Sequence, residues 1–136
     1  AVIKHTANEV LYTISYYVQK LFAENMGPRT LPVTATNGGF GPIYWSATAN
    51  SSSTILKIVN YNGKTGSSNA VQVNVEGSSK TTATLIALTA PSSTSVNNLP
   101  SLGGESSTIT TTTLSGSAGS FSVSFTNPFE IAILVV

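Results

Sequence analysis

The fold class of this chain is decided by residues 42–63, PIYWSATANSSSTILKIVNYNG. The runs 42–49 and 54–61 are rich in residues that favour strands, and the polar segment 50–53 between them suits the turn of an antiparallel hairpin. Asn62 and Gly63 follow at once and supply the positive backbone torsions that a tight turn requires. This stretch therefore predicts two paired strands followed by a sharp reversal of the chain.

The rest of the chain after residue 28 also has the pattern of short strands. Valines alternate with polar residues in 71–76, as phenylalanine and valine do in 120–126, which predicts strands with one buried face. Further strands are expected at 31–35, 84–89, 106–114 and 129–136, the last being a buried strand that closes the fold. Eight or so strands with frequent turns predict a mainly β, two-sheet antiparallel β-sandwich, jelly-roll-like or immunoglobulin-like.

One amphipathic helix is predicted before the strands. Residues 10–22 at helical spacing form one broad apolar face. That face comprises Val10, Leu11, Ile14, Tyr17, Val18, Leu21 and Phe22. Tyr12 and Tyr16 fall together on the far side, and Gly27-Pro28 supplies a stop signal. Apolar character on both sides implies contact on both, so Tyr12 and Tyr16 are predicted interface residues.

The predicted division of the chain is an N-terminal helical segment, 1–27, and a β-sandwich domain, 28–136. The long polar loop 90–105 between two strands is mobile or merely decorative, or it is a binding loop.

Composition favours a secreted, extracellular protein and excludes two classes of partner. Charged residues are 8% of 136, the formal net charge is +1, and the lysines and arginine are scattered, so no nucleic-acid surface is expected. Ser and Thr make up roughly 29% of residues, which is high for globular proteins. The apolar run 131–136 is too short to span a membrane. No targeting segment is visible from Ala1 onward, so we expect that any signal peptide has already been removed.

Catalytic and metal-binding patterns are lacking. The chain has one histidine, His5, no Cys and no Asp, which removes the usual nucleophile triads and thiolate or histidine metal sites. The five glutamates are widely spaced, whereas glycoside hydrolysis needs two facing carboxyl groups. We therefore expect no cofactor, no metal and no catalytic residue in this chain.

Two kinds of binding or modification site remain. Tyr44, Trp45 and Tyr61 are candidates for a carbohydrate-binding platform, although adjacent residues of a strand face opposite sides and core packing is the competing interpretation. Asn50-Ser51-Ser52 is the one N-glycosylation sequon, and it lies in the predicted hairpin turn.

Four short motifs resemble the C-terminal region of fungal α-L-arabinofuranosidases of glycoside hydrolase family 51. They are 15–22 (SYYVQKLF), Asn25-x-Gly27, 42–45 (PIYW) and 57–60 (KIVN). The resemblance implies a jelly-roll domain that follows a catalytic (β/α)₈ barrel, with the helix ending the barrel and strands from the N-terminus of the enzyme completing the sandwich. It also implies a parent that is a retaining hydrolase acting on arabinoxylan or arabinan. No residue here matches either catalytic glutamate of that family.

Three functions stay open at this point. The first is a non-catalytic sandwich domain whose partner is the catalytic barrel of the parent enzyme. The second is a free-standing carbohydrate-binding, lectin-like protein, with polysaccharide as its ligand. The third is a self-assembling structural or signalling protein, whose partner is a second copy of itself.

Overall fold

The hairpin sequence forms the hairpin that its pattern predicts. A computed structural model describes all 136 residues and contains ten strands and one α-helix. The elements in chain order are β1 (Ile3–His5), β2 (Val10–Tyr12), α1 (Ile14–Glu24), β3 (Arg29–Leu31), β4 (Ile43–Ala49), β5 (Thr54–Tyr61), β6 (Val71–Asn74), β7 (Thr82–Thr89), β8 (Thr108–Ser115), β9 (Ser120–Val123) and β10 (Phe129–Val135). Strands β4, β5, β7 and β10 lie within two residues of their predicted bounds.

The strands form one large antiparallel sheet and two small ones. The large sheet has the order β3-β4-β5-β10-β7-β8, while β6 pairs with β9 and β1 pairs with β2. The chain therefore places its last strand, β10, in the middle of the large sheet between β5 and β7. This arrangement confirms the predicted antiparallel β-sandwich with an N-terminal helix.

The main core lies between the large sheet and the β6–β9 pair. Phe121, Val123 and Phe125 are at most 2% exposed, and they pack against Ile58 and Leu134 of the large sheet. Their alternation with serines is the pattern that predicted a one-sided strand. The two sheets thus form a sandwich whose second layer is only two strands wide.

The helix covers the other face of the large sheet. Leu21 forms a second buried cluster with Ile55, Leu88 and Ile133. Because Ile133 faces α1 while Leu134 faces β6–β9, strand β10 is buried on both sides, as its apolar sequence predicts. At the far end of α1, the Lys57 ammonium donates to the Phe22 carbonyl at 3.1 Å, and burial lowers the pKa of Lys57.

The helix begins later than its periodicity predicts. Residues 10–12 form β2, which pairs with β1, and α1 starts at Ile14. Thr13 is the N-cap, and its hydroxyl accepts a hydrogen bond from the Tyr16 N–H at 3.3 Å. Helical periodicity over 10–22 includes residues that favour strands, and the pairing with β1 decides between the two conformations. The prediction of a helix from residue 10 was therefore wrong.

The helix also ends without using the predicted Gly-Pro stop. Asn25 is its C-cap, and its side-chain amide donates to the Leu21 carbonyl at 2.9 Å. Gly27 is instead needed for packing: a Cβ there would lie 2.4 Å from the backbone of Ala49. The single α-helix is too short and too polar to be a candidate membrane span.

Candidate functional site

The two ends of the large sheet have different chemical character. At one end lies the β4–β5 turn, Asn50–Ser53, beside Val136, whose amide donates to the Thr54 carbonyl at 2.9 Å; we call this the hairpin end. At the opposite end, Tyr61 pairs with Phe129 and the 90–107 loop joins β7 to β8. We call this the tyrosine end, because three tyrosines of the N-terminal segment lie there.

These three tyrosines form one aromatic cluster. The Tyr12 and Tyr16 ring centroids are 4.6 Å apart, and those of Tyr16 and Tyr17 are 5.3 Å apart, edge to face. Tyr12 is 38% exposed, whereas Tyr17 also packs against the buried cluster beneath α1. The structure thus brings the two predicted interface residues together and adds Tyr17, which the helical pattern assigned to the core face alone.

Tyr17 links the helix to the long loop. Its hydroxyl donates to the Glu105 carboxylate, which lies 88 residues away in the chain. Burial, and then this hydrogen bond, raises the pKa of Tyr17 to about 12. The neutral, donating form of the phenol is therefore the form that the folded chain stabilises.

The 90–107 loop is fastened to the N-terminal segment by a buried amide. The Asn97 side chain is 7% exposed and donates to the Tyr12 carbonyl at 3.0 Å and to the Ser107 hydroxyl at 2.9 Å. Its oxygen accepts from the Ser106 and Ser107 amides, both at 3.0 Å. The loop is thus held to β2 at Tyr12 and to its own end at Ser106 and Ser107, and it is part of the structure of the tyrosine end.

A second contact between the N-terminal segment and the loop lies further along the loop, at Ser101. The Glu9 carboxylate accepts from both the amide and the hydroxyl of Ser101, each at 2.7 Å. Glu9 therefore stabilises the loop.

Exposed apolar side chains are concentrated at the tyrosine end. Val10, Tyr61, Val96, Leu102 and Ile109 are between 40% and 69% exposed, and all five lie in or beside the segments just described. A groove of about 200 Å³ opens between the first half of α1 and the sheet; Ile14, Val18, Val59 and Phe129 are among its lining residues. This surface has the composition of an interaction site.

The proposed carbohydrate-binding residues lie on both faces of the large sheet. Tyr44 pairs with Val59 and Trp45 with Ile58, so Tyr44 shares the helix side with Tyr61 while Trp45 faces the sandwich core. Phe40, which is 64% exposed, packs edge to face on both Tyr44 and Trp45 at 4.9 Å. The three candidates therefore do not form one flat platform, and Phe40 had no pattern in the sequence to single it out.

Asn50 lies in the turn at the hairpin end, as predicted. Its side-chain oxygen accepts from the Ser52 and Ser53 amides at 2.9 and 2.8 Å. A polar groove of about 260 Å³ adjoins this turn; Arg29, Glu76 and Lys80 are among its lining residues.

Four of the five glutamate carboxylates, those of Glu9, Glu24, Glu105 and Glu130, make separate structural contacts. Glu24 pairs with Lys20 at 2.5 Å on the helix surface. Glu130, buried at 6% exposure, accepts from Thr126 and Asn127 amides, both at 2.9 Å. No group of three or more His, Cys, Asp or Glu residues comes together as a metal site.

Comparisons of sequence and of structure both show similarity to α-L-arabinofuranosidases. No family model matches the chain. A probable alpha-L-arabinofuranosidase A from Aspergillus terreus is 38% identical over 80 residues, which are 59% of this chain and 12% of that protein. The arabinose-bound GH51 α-L-arabinofuranosidase MgGH51 superposes with a TM-score of 0.72 and 29% identity, over 99% of this chain and 21% of that one.

A bacterial structure gives the same fold. The thermostable GH51 alpha-L-arabinofuranosidase from Thermotoga petrophila RKU-1 superposes with a TM-score of 0.74 over 100% of this chain and 31% of its own. The two sequences are 19% identical, so this similarity concerns the fold alone. The chain thus spans only 12% of the curated fungal relative. Its homologues are α-L-arabinofuranosidases of glycoside hydrolase family 51, and the solved GH51 structures match its whole length to one part of a longer chain, consistent with a C-terminal domain.

Proposed function

We propose that this chain is the non-catalytic C-terminal β-sandwich domain of a secreted α-L-arabinofuranosidase that acts on arabinoxylan or arabinan. The observation that carries the proposal is the match over 99% of this chain to 21% of a solved enzyme, at 29% identity. The proposed partner is the catalytic barrel of the same enzyme, and polysaccharide is bound by the complete protein.

The placement of the acidic side chains supports the proposal that this domain is non-catalytic. A glycosidase needs two carboxyl groups about 5–10 Å apart across one cleft. Here Glu9 and Glu105 hold the long loop, and Glu130 holds the turn before β10. Three of the five carboxylates are therefore engaged in contacts that hold the fold together.

The character of the tyrosine end supports the choice of partner. Tyr12, which is 38% exposed, and the half-buried Tyr16 contact one another with ring centroids 4.6 Å apart. An exposed cluster of aromatic and aliphatic side chains is stabilised by contact with a second surface. The rest of the enzyme would provide that surface, and a second copy of this chain would take its place when the chain is isolated.

The proposed lack of catalytic activity is tested by assaying the isolated chain on an aryl α-L-arabinofuranoside and on arabinoxylan. We expect no turnover, whereas the same chain joined to the barrel encoded upstream in its reading frame is active. Turnover by the isolated chain that disappears in Glu76→Gln or Glu105→Gln would overturn the proposal. So would a reading frame that encodes no barrel with two catalytic glutamates, and binding of the isolated chain on a glycan array would favour the lectin-like alternative.

The partner is tested by light scattering of the isolated chain at micromolar concentration. We expect a mass above the 14.0 kDa of one chain, reduced to the monomer by Tyr12→Ser with Tyr16→Ser. Met26→Ser is the matched control, because Met26 is 66% exposed but adjoins Gly27 at the hairpin end. A monomer unaffected by any variant, which also fails to bind the separately expressed barrel, would contradict the assignment of this surface.

A further inference from the structure

We propose that Asn50 is an N-glycosylation site, and that its glycan stands at the hairpin end of the domain, away from the surface that meets the rest of the enzyme. Asn50-Ser51-Ser52 is the only Asn-x-Ser/Thr sequence in the chain. All three residues are exposed in the turn between β4 and β5. A sequon in an exposed loop is accessible to the transferase and can carry a bulky sugar without disturbing the core.

The geometry of the Asn50 amide fits this modification. Its oxygen accepts from the Ser52 amide at 2.9 Å, the Ser53 amide at 2.8 Å and the Ser52 hydroxyl at 3.2 Å. Because backbone N–H groups require an acceptor, these contacts fix which atom is the oxygen. The remaining atom, Nδ2, donates to no protein group, and it is the atom that carries an N-linked sugar. The glycan can therefore be added while every hydrogen bond of the turn is kept.

The hydroxyl of the sequon lies beside the same amide. Ser52 Oγ is within hydrogen-bond distance of Asn50 Oδ1, so the turn brings together the two side chains that the sequon requires. The Lys80 ammonium donates to the Ser52 carbonyl at 3.1 Å and ties the turn to the β6–β7 connection. The adjoining polar groove, where Arg29 and Glu76 lie, provides hydrogen-bonding groups next to the first sugar.

The chemical step is a substitution at the anomeric carbon of an oligosaccharide held on a polyprenyl diphosphate. The Nδ2 lone pair forms the bond to C1 of N-acetylglucosamine, and the bond from C1 to the diphosphate oxygen breaks. The polyprenyl diphosphate leaves with that electron pair, and Nδ2 loses one proton to the transferase. No oxidant or reductant is required.

The position of the glycan is compatible with the proposed partner surface. Strand β5 runs from the hairpin end to Tyr61 at the tyrosine end, a length of eight residues, or about 25 Å at the rise of a strand. A sugar on Asn50 therefore leaves the stack of Tyr12 and Tyr16 uncovered. The inference depends on passage through a secretory pathway, as the proposed function does, but not on the activity of the parent enzyme.

The test is secretion of the chain from a yeast host behind an added secretion leader, followed by peptide mass spectrometry with and without peptide N-glycosidase. We expect a glycan on the peptide that contains Asn50. Asn50→Asp retains an oxygen acceptor for the turn but cannot be glycosylated, and Ser52→Ala lacks the sequon hydroxyl; both should lose the glycan completely. Ser52→Thr and Ser53→Ala preserve the sequon and should retain it.

An engineered second sequon is the internal control for a result in which Asn50 carries no glycan. The substitution Gly39→Thr creates an Asn-Gly-Thr sequence that begins at Asn37 in an exposed loop, and Gly39 has no atom within 4 Å of an added Cβ. Modification of Asn37 in this variant, with Asn50 unmodified in the same molecules, would overturn the proposal. Because the leader supplies entry to the secretory pathway, that outcome would refute the site and leave the proposed function of the domain unaffected.

Discussion

Removal of the Asn97 side chain should loosen the tyrosine end of the molecule. Asn97→Ala deletes four hydrogen bonds, two donated to Tyr12 and Ser107 and two accepted from the Ser106 and Ser107 amides. A typical intramolecular hydrogen bond contributes about 0.5–1.5 kcal/mol net, and a buried group left without a partner costs more. The site is only partly enclosed, so water replaces some of the lost bonds. We expect the free energy of unfolding to fall by about 2–4 kcal/mol.

The assay is urea unfolding followed by circular dichroism, with linear extrapolation to water. For a chain of this length the loss corresponds to a decrease in Tm of roughly 10 °C. Amide hydrogen exchange gives a local measurement: protection of Ser106 and Ser107 should fall more than protection of the core strands.

The neighbouring residue is a matched control. Asn98 is exposed, so Asn98→Ala should change the free energy of unfolding by no more than about 0.5 kcal/mol. If Asn97→Ala is equally mild, or if both variants lose the same stability, Asn97 does not hold the loop in the way described.

Two further predictions concern single substitutions, one at Tyr17 and one at Gly27. Tyr17 has its pKa raised to about 12, against about 10 in an unfolded chain, so its contribution to stability is complete below pH 10 and is lost between pH 10 and 12. The stability advantage of the wild type over Tyr17→Phe in urea unfolding should therefore shrink across that window; a constant difference would contradict the role of the phenol proton. Gly27→Ala places a Cβ 2.4 Å from the Ala49 backbone and should lower the free energy of unfolding by about 1–3 kcal/mol or more. Gly39→Ala, which meets no atom within 4 Å, should stay close to the wild type, and equal effects would argue against the close approach.

Local patterns in the sequence were sufficient for most of the β structure. Alternation in 120–126 predicted the burial of Phe121 and Val123, and the polar break at 50–53 predicted the β4–β5 turn. Such patterns work because the period of a strand depends on the residue and its near neighbours alone. The neighbouring positions of Tyr12 and Tyr16 followed from the same kind of local reasoning, although Tyr12 precedes the helix.

Only the tertiary structure decided which distant parts of the chain the strands and the helix contact. Residues 10–12 satisfy a helical pattern, yet they form a strand because β1 offers backbone partners. The contacts of Asn97 with Tyr12 and of Tyr17 with Glu105 join positions 85 and 88 residues apart. No periodicity records such a pairing, because the energy of a buried hydrogen bond depends on which groups the fold brings within about 3 Å of each other. The sequence by itself therefore determined most of the strands after the helix, the β4–β5 turn and the sequon, whereas the fold alone made strands of residues 3–5 and 10–12 and separated a tyrosine end from a hairpin end.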